Sequence, residues 1–284
     1  MSFPISIALV SSLFLIVAAL ERVPALQFRP ATFLRPYLLT DVAWYGIATA
    51  AAAVSAFVFR PQLAQLAIPG IAGRVGQLPS PALLLIGVVA YDLVAFFVHV
   101  AIHRFEPLWN VHKVHHSSRH LDWLATTRTH MFEHLVRNLP AQAVLFAIGV
   151  PANIVVITLF VYVAFALFEH SNLAIAPRWF EQVFITPRLH RSHHVPSTSQ
   201  RNFGTIFSFW DRALGTLTRR DTRLDEVLGV PGELDTYPQR FIAAARKPLS
   251  QTYAQRGTPP NTRHDSILSR VGASKNPGAV HSVR

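Results

Sequence analysis

The sequence predicts an all-α protein: multi-pass membrane helices carrying a cytoplasmic helical cap. Three observations point there. Of the 284 residues, 51% are hydrophobic and only 14% charged, against about 25% charged in an average chain; mean hydropathy is +0.30. The apolar residues gather in blocks before residue 170, whereas the chain after residue 220 is polar. Most of the 14 histidines crowd between residues 99 and 194. This pattern excludes a uniformly soluble globule and a disordered chain. Cysteine is absent, which excludes a disulfide framework, a Cys-based zinc site and thiolate catalysis.

The first apolar block covers residues 5–20. Its leader is uncharged and the block ends at Glu21-Arg22, so it reads as a retained membrane helix rather than a cleaved signal. The second block, residues 37–59, contains Asp41 and closes at Arg60. The third, residues 81–103, holds Asp92, His99 and His103. Each has about the length that spans hydrocarbon at ~1.5 Å per residue. The fourth block, residues 139–168, would be roughly 45 Å long as one helix, more than the ~30 Å hydrocarbon core. Gly149-Val150-Pro151 interrupts it, and proline disfavours helix in the residue before it. Two short helices in a hairpin that enters the membrane and returns are therefore expected, with the histidines before and after it on one side.

Loop charges set the orientation. Arg22, Arg29 and Arg35 precede the second block, and Arg104, Lys113, Arg119, Arg128 and Arg137 follow the third; the opposite loop has Arg60 and Arg74. The positive-inside rule then places the histidine-rich region and the C-terminus in the cytoplasm. The net charge of +11 invites a nucleic-acid reading, but the runs Arg219-Arg220 and Arg246-Lys247 are short and lie beside a membrane. They read as lipid-facing or solvated surface, with no nucleic acid as partner.

The histidines fall into spaced clusters: His99-x-x-x-His103, His112-x-x-His115-His116, His130 with His134 and then His170 across the hairpin, and His190-x-x-His193-His194. On a helix, residues three or four apart share a face. Imidazole is the commonest metal ligand. Some eight to ten such nitrogens exceed the four to six that one ion takes, so the cap is expected to hold a histidine-rich di-metal site. Isolated His120, His264 and His281 read as ordinary polar residues, and His134 as either a ligand or a helix-surface partner of His130. No HExxH is present, so a zinc metalloprotease would lack its general base. A nitrogen-rich site suits zinc, iron, copper or nickel, and composition does not choose among them.

At these residues the chain resembles the fatty acid hydroxylase superfamily, the histidine-box membrane enzymes that include sterol desaturases, sterol C4-methyl oxidases and sphingolipid hydroxylases. The resemblance covers residues 91–216. It runs from Tyr91-Asp92 and His99-x-x-x-His103 through Trp109-x-x-His112-x-x-His115-His116-Ser117, Arg128-Thr129-His130-x-x-Glu133 and Glu169-His170-Ser171-Asn172. It ends at His190-x-x-His193-His194, Asn202-Phe203-Gly204 and Trp210-Asp211. Met131, where members often carry proline, and Arg191, where some carry aspartate, depart from the pattern.

The resemblance implies two iron ions, replaceable by zinc in isolated protein, that activate O2 and attack an unactivated C–H bond of a lipid: a fatty acyl chain, sphingolipid, sterol or related molecule. The implied ligands are His99, His103, His112, His115, His116, His130, His170, His190, His193 and His194. Nothing in the chain resembles a cytochrome b5 or ferredoxin domain, so electrons are expected from a separate donor protein of that kind. Asp92, Glu133 and Glu169 are candidates to hold ligand imidazoles, or to buttress helix packing. Asn172 is a candidate neighbour of the metals, and Trp109, Trp123 and Trp179 are candidate interface anchors.

The organisation expected is therefore residues 1–80 as N-terminal transmembrane helices, 81–220 as a histidine-box catalytic domain including the hairpin 139–168, and 221–284 as a polar, partly disordered tail. Two other functions compete: a membrane metal transporter or storage protein, and a di-zinc hydrolase at the same site. Transporters place ligands near the bilayer midplane, whereas these histidines cluster at helix ends.

Overall fold

The structure is a computed structural model that describes residues 3–30, 34–219 and 226–254. Among the described residues there is no strand, only isolated bridges between Gln27 and Leu173 and between Phe184 and Phe207. Among the described residues four helices are long and apolar enough to cross a membrane, α1 (Phe3–Leu20), α2 (Leu38–Leu66), α4 (Ser80–Arg104) and α7 (Ala152–His170); a short α3 (Pro69–Val75) lies between α2 and α4. Between them lie α5 (Glu106–His116) and α6 (Met131–Ala147). The remaining helices are α8 (Pro187–His193), α9 (Phe209–Ala213) and α10 (Phe241–Ala254). The chain divides into two compact units, Met1–Pro248 and Leu249–Arg284. The stretch after Arg256, expected to be disordered, lies outside the described residues.

α4 is the central rod, packed against α5, α6 and α7. Tyr91 and Ala95 of α4, Leu145 of α6, Val155 and Tyr162 of α7 and Ile206 of a later loop form the main core. Gly87 lets α4 and α7 come close: a Cβ there would fall 2.6 Å from Thr158 Oγ1. α4 turns into α5 through Phe105 alone, in extended conformation, with Pro107 in the first turn of α5. The histidine-bearing end of α4 is thus one residue from the start of α5, whose own histidines lie toward its far end.

α6 and α7 are joined by residues 148–151. Gly149 has φ +88°, and a Cβ there would lie 2.4 Å from Ala72 Cα, so both the left-handed turn and the α3 backbone above it require glycine. α6 starts at Met131, well before the apolar block at 139. The extra turns are amphipathic: Phe132, Leu135 and Val136 alternate with Glu133, His134, Arg137 and Asn138, which hydropathy alone does not register.

Residues 226–248 are not a loose tail. Val230, Tyr237 and Ala244 are buried against Trp44 of α2 and Val114 of α5. Beside them Arg128 pairs with Asp41 at 3.0 Å, and Arg35 pairs with Asp41 at 2.7 Å and with Asp122. This buried network joins the start of α2 to the loop between α5 and α6.

Candidate metal centre

The end of α4 supplies His99 and His103, α5 supplies His112, His115 and His116, the end of α7 supplies His170, and α8 with its C-cap supplies His190, His193 and His194. Eight of them form two buried groups among the described residues: His99, His103, His112 and His193, and His115, His170, His190 and His194. Within each group one donor atom per residue lies within 4.8 Å of all the others. Each HxxHH segment straddles both groups. His112 joins the first and His115 the second; His193 joins the first, and His190 and His194 the second. His116 lies between, its ring 4.7 Å from His193 and 4.6 Å from His194, with neither nitrogen hydrogen-bonded.

Two residues stand apart. His130 caps α6, its Nδ1 accepting the Phe132 N–H at 3.3 Å, and its ring neighbours Trp44 and Phe132 rather than other histidines. His134 faces a cavity between helices.

The tautomers follow from the partners of Nδ1. His99 Nδ1 donates to the Phe203 carbonyl, His193 Nδ1 to Arg201 and His170 Nδ1 to Ala166, each at 2.7 Å; His112 Nδ1 donates to Glu133 Oε1 at 2.6 Å. Each of these rings therefore presents a lone pair at Nε2. Yet His99 and His112 bring their Nε2 atoms to 3.2 Å. In the second group the Nε2 separations are 3.0 Å for His115–His170, 2.9 Å for His170–His190 and 3.2 Å for His190–His194. Facing lone pairs repel unless a cation sits between them. Ligands ~2.1 Å from one ion lie about 3.0–3.4 Å apart. The donor sets fit a nitrogen-preferring transition metal in each group.

Burial, reinforced by neighbouring imidazoles, pushes His115, His116, His190 and His194 well below the usual histidine range, and burial takes His193 down to about 3. The rings stay neutral, which is the ligating form. Unfolding returns them to the ordinary value near 6.5, so below that pH the unfolded chain binds more protons than the folded one. Each such ring then removes about 1.4 kcal/mol of stability per pH unit. The metal-free protein is expected to lose thermal stability steeply between pH 7 and pH 5. A melting temperature flat across that range would contradict the burial.

Glu133 and Glu169 do face ligand rings. Glu169 Oε2 lies 3.4 Å from His190 Nδ1, and Glu133 also approaches Arg137 at 3.5 Å. The Glu133 carboxylate, bonded to His112 Nδ1, fixes that ring's orientation and raises its basicity. Glu133→Gln is expected to weaken metal binding at the first group about 10–100-fold in chelator competition, with the fold retained.

Asp92 touches no histidine. It accepts from the backbone N–H groups of Ile206 and Phe207 and from Trp210 Nε1, at 3.0–3.1 Å. Asp211 accepts from the N–H groups of Phe203 and Gly204, both at 2.8 Å. Together they hold the loop whose Phe203 carbonyl orients His99. Asn172 is likewise one step removed: its Oδ1 accepts from Arg29 N–H and Arg191 Nη2, and its own N–H goes to Glu21 Oε1. Trp109 packs its ring on His103 and His116, at 4.8 and 5.2 Å, whereas Trp179 is 72% exposed.

Backbone carbonyls as ring anchors carry no signature in sequence. The motifs Asn202-Phe203-Gly204 and Trp210-Asp211 are the visible trace of the loop that supplies one of them. Glu21 gave no signal at all.

Fold and site together define a class: helical proteins with membrane-length apolar helices and buried polyhistidine clusters that could hold metal. Residues 84–216 match the model of the fatty acid hydroxylase family. It is 27% identical to the ornithine lipid hydroxylase OlsE of Rhizobium tropici over 177 residues, 62% of this chain and 53% of that protein. It is 24% identical to the alkylglycerol monooxygenase of Danio rerio over 151 residues, 51% of this chain and 32% of that protein. The chain thus spans about half or less of the length of these relatives. No solved structure matches.

Proposed function

We propose that this protein is a multi-pass membrane oxygenase with a di-iron centre that hydroxylates or desaturates an unactivated C–H bond of a lipid. The observation that carries the reading is the pair of buried four-imidazole groups, in which neighbouring Nε2 atoms approach to 2.9–3.2 Å. His99, His103, His112 and His193 would hold one ion, and His115, His170, His190 and His194 the other, with His116 between them. Bound iron supplies the O2-activating redox chemistry that no side chain offers.

The rest is the chain's own work. Glu133 and the carbonyls of Phe203, Arg201 and Ala166 hold the rings in register. Burial keeps the rings neutral and water out. The cysteine-free site offers no thiolate to climb the oxidation ladder beside an oxidant. Hydroxylation places one oxygen atom of O2 in the lipid and the other in water, which consumes two electrons and two protons. In this reading a separate cytochrome b5- or ferredoxin-like protein delivers the electrons at the cytoplasmic face, where the basic loops and the histidines lie. The family match and the lipid-modifying names of the two relatives support a lipid as substrate.

The test is reconstitution with ferrous iron, isotope-labelled O2, a reductant system and total membrane lipid. The expected result is about two iron ions per chain and a lipid that gains one labelled oxygen or loses two hydrogens. Lipid cleavage that proceeds without O2 would overturn the reading in favour of a zinc hydrolase.

A further inference from the structure

A cavity of about 400 Å³ runs between α1, α2, α6 and α7, within the ~300–1,000 Å³ range of ligand pockets. Its α2 wall extends from Tyr45 to Arg60, about 20 Å at the rise of a helix. Ile7, Val10 and Phe14 line it from α1, and Leu159 and Phe160 from α7. The α2 wall is built from small residues, Ala48, Ala52 and Ala56, and these make the room. At Ser55–Phe59 that wall widens into a π-helical turn, a distortion that recurs at functional sites.

The fourth wall is different. His134, Asn138 and Gln142 repeat every four residues and form one polar stripe of α6 along a mostly apolar chamber, whose other polar lining includes Ser55 and Arg60 of α2 and Thr126 and Thr127. Gln142 is 1% exposed. Its Nε2 donates to Ser55 Oγ at 3.0 Å and to the Asn138 carbonyl at 3.4 Å, which fixes the amide orientation. Its Oε1 is buried with no partner, and so is His134 Nε2. A buried acceptor without a donor is costly and calls for an occupant that supplies one.

The cap end of the cavity lies one residue removed from each histidine group. Thr126, which lines it, donates to the Ala166 carbonyl at 2.9 Å, and the same carbonyl takes the proton of His170 Nδ1. His134 follows Glu133, the carboxylate on His112.

We propose that this cavity seats one apolar chain of the lipid substrate, and that the chain or its linkage carries a hydroxyl or amide N–H that donates to Gln142 Oε1. Three of the four walls belong to helices long and apolar enough to cross a membrane, so the medium that reaches the cavity is hydrocarbon tail. The polar stripe selects among tails: an ester- or ether-linked chain offers Gln142 no donor. The proposal deepens the lipid-oxygenase reading and rests on it for the occupant being the substrate.

The test uses the full-length chain in nanodiscs, metal-free and without reductant, with two lipids that carry a photoreactive diazirine on chains of equal length. One chain is amide-linked and the other ester-linked. The amide-linked probe is expected to label peptides of α1, α2 and α7 and to be displaced by unlabelled amide-linked lipid. Ala52→Phe, which fills the chamber, should cut that labelling at least tenfold. Gln142→Leu should bring amide-linked capture down about tenfold, to the level of the ester-linked probe.

Labelling that excess unlabelled lipid does not displace from the wild-type chain overturns the seat without relying on any variant. Equal capture of the two probes by wild type overturns the role of Gln142. Capture needs neither metal nor O2, so specific labelling supports the seat even where reconstitution yields no oxidation, the outcome that counts against the oxygenase reading alone.

Discussion

His115→Ala is expected to empty the second metal group and abolish turnover. His115 comes from α5, and its Nε2 faces that of His170 at 3.0 Å. Without it His170, His190 and His194 remain, three rings around a site shaped for four. Metal content should fall from about two ions per chain to about one, read by elemental analysis after dialysis. Turnover should fall more than about a thousandfold, which corresponds to some 4 kcal/mol of lost transition-state stabilisation. His193→Ala should do the same at the first group. His130→Ala is the control: that ring caps α6 and joins neither group, so both ions should remain. Retention of both ions by His115→Ala would contradict the assignment.

Arg128→Ala should be the most destabilising change outside the histidines. The side chain is 1% exposed. Its Nη1 pairs with Asp41 at 3.0 Å, its Nε donates to Ser117 Oγ at 3.1 Å, and its Nη2 donates to Gln239 Oε1 at 3.0 Å. Removing one partner of a buried pair leaves an uncompensated charge and costs about 3–5 kcal/mol. Asp41 keeps Arg35, at 2.7 Å, so the loss should fall near the lower end, about 3 kcal/mol. Arg128→Lys keeps the charge but not the planar fork, and should recover only part of the loss. The midpoint of thermal unfolding in detergent measures all three proteins, and a shift under a degree for Arg128→Ala would refute the network's role.

The apolar helices were legible because length and hydropathy alone define them. The histidine set was legible because spacings of three and four place rings on a common helical face. Spacing could not say which ion each ring serves. His112 and His115 share a face of α5 yet part company, because α4 approaches one end of that face and α7 the other. The early start of α6 was hidden because amphipathic turns carry no block of apolar residues. The packing of residues 226–248 was hidden for the opposite reason: a Pro-rich polar stretch shows no period, although Val230, Tyr237 and Ala244 are buried. Asp92 illustrates a third limit. Its position seven residues before His99 puts both on one side of α4, but its partners come from a loop more than a hundred residues later.

Burial of Trp44 against Tyr237 and Ala244 has a biosynthetic consequence. Trp44 belongs to an early helix, while the segment that covers it is synthesised much later. The helices made before it must wait with that flank uncovered until Val230, Tyr237 and Ala244 have been made. Closure of the cap is therefore a late, long-range event, slowed by the loop that must close, and premature termination before residue 226 would leave a chain with every histidine of both groups but no lid over α2 and α5.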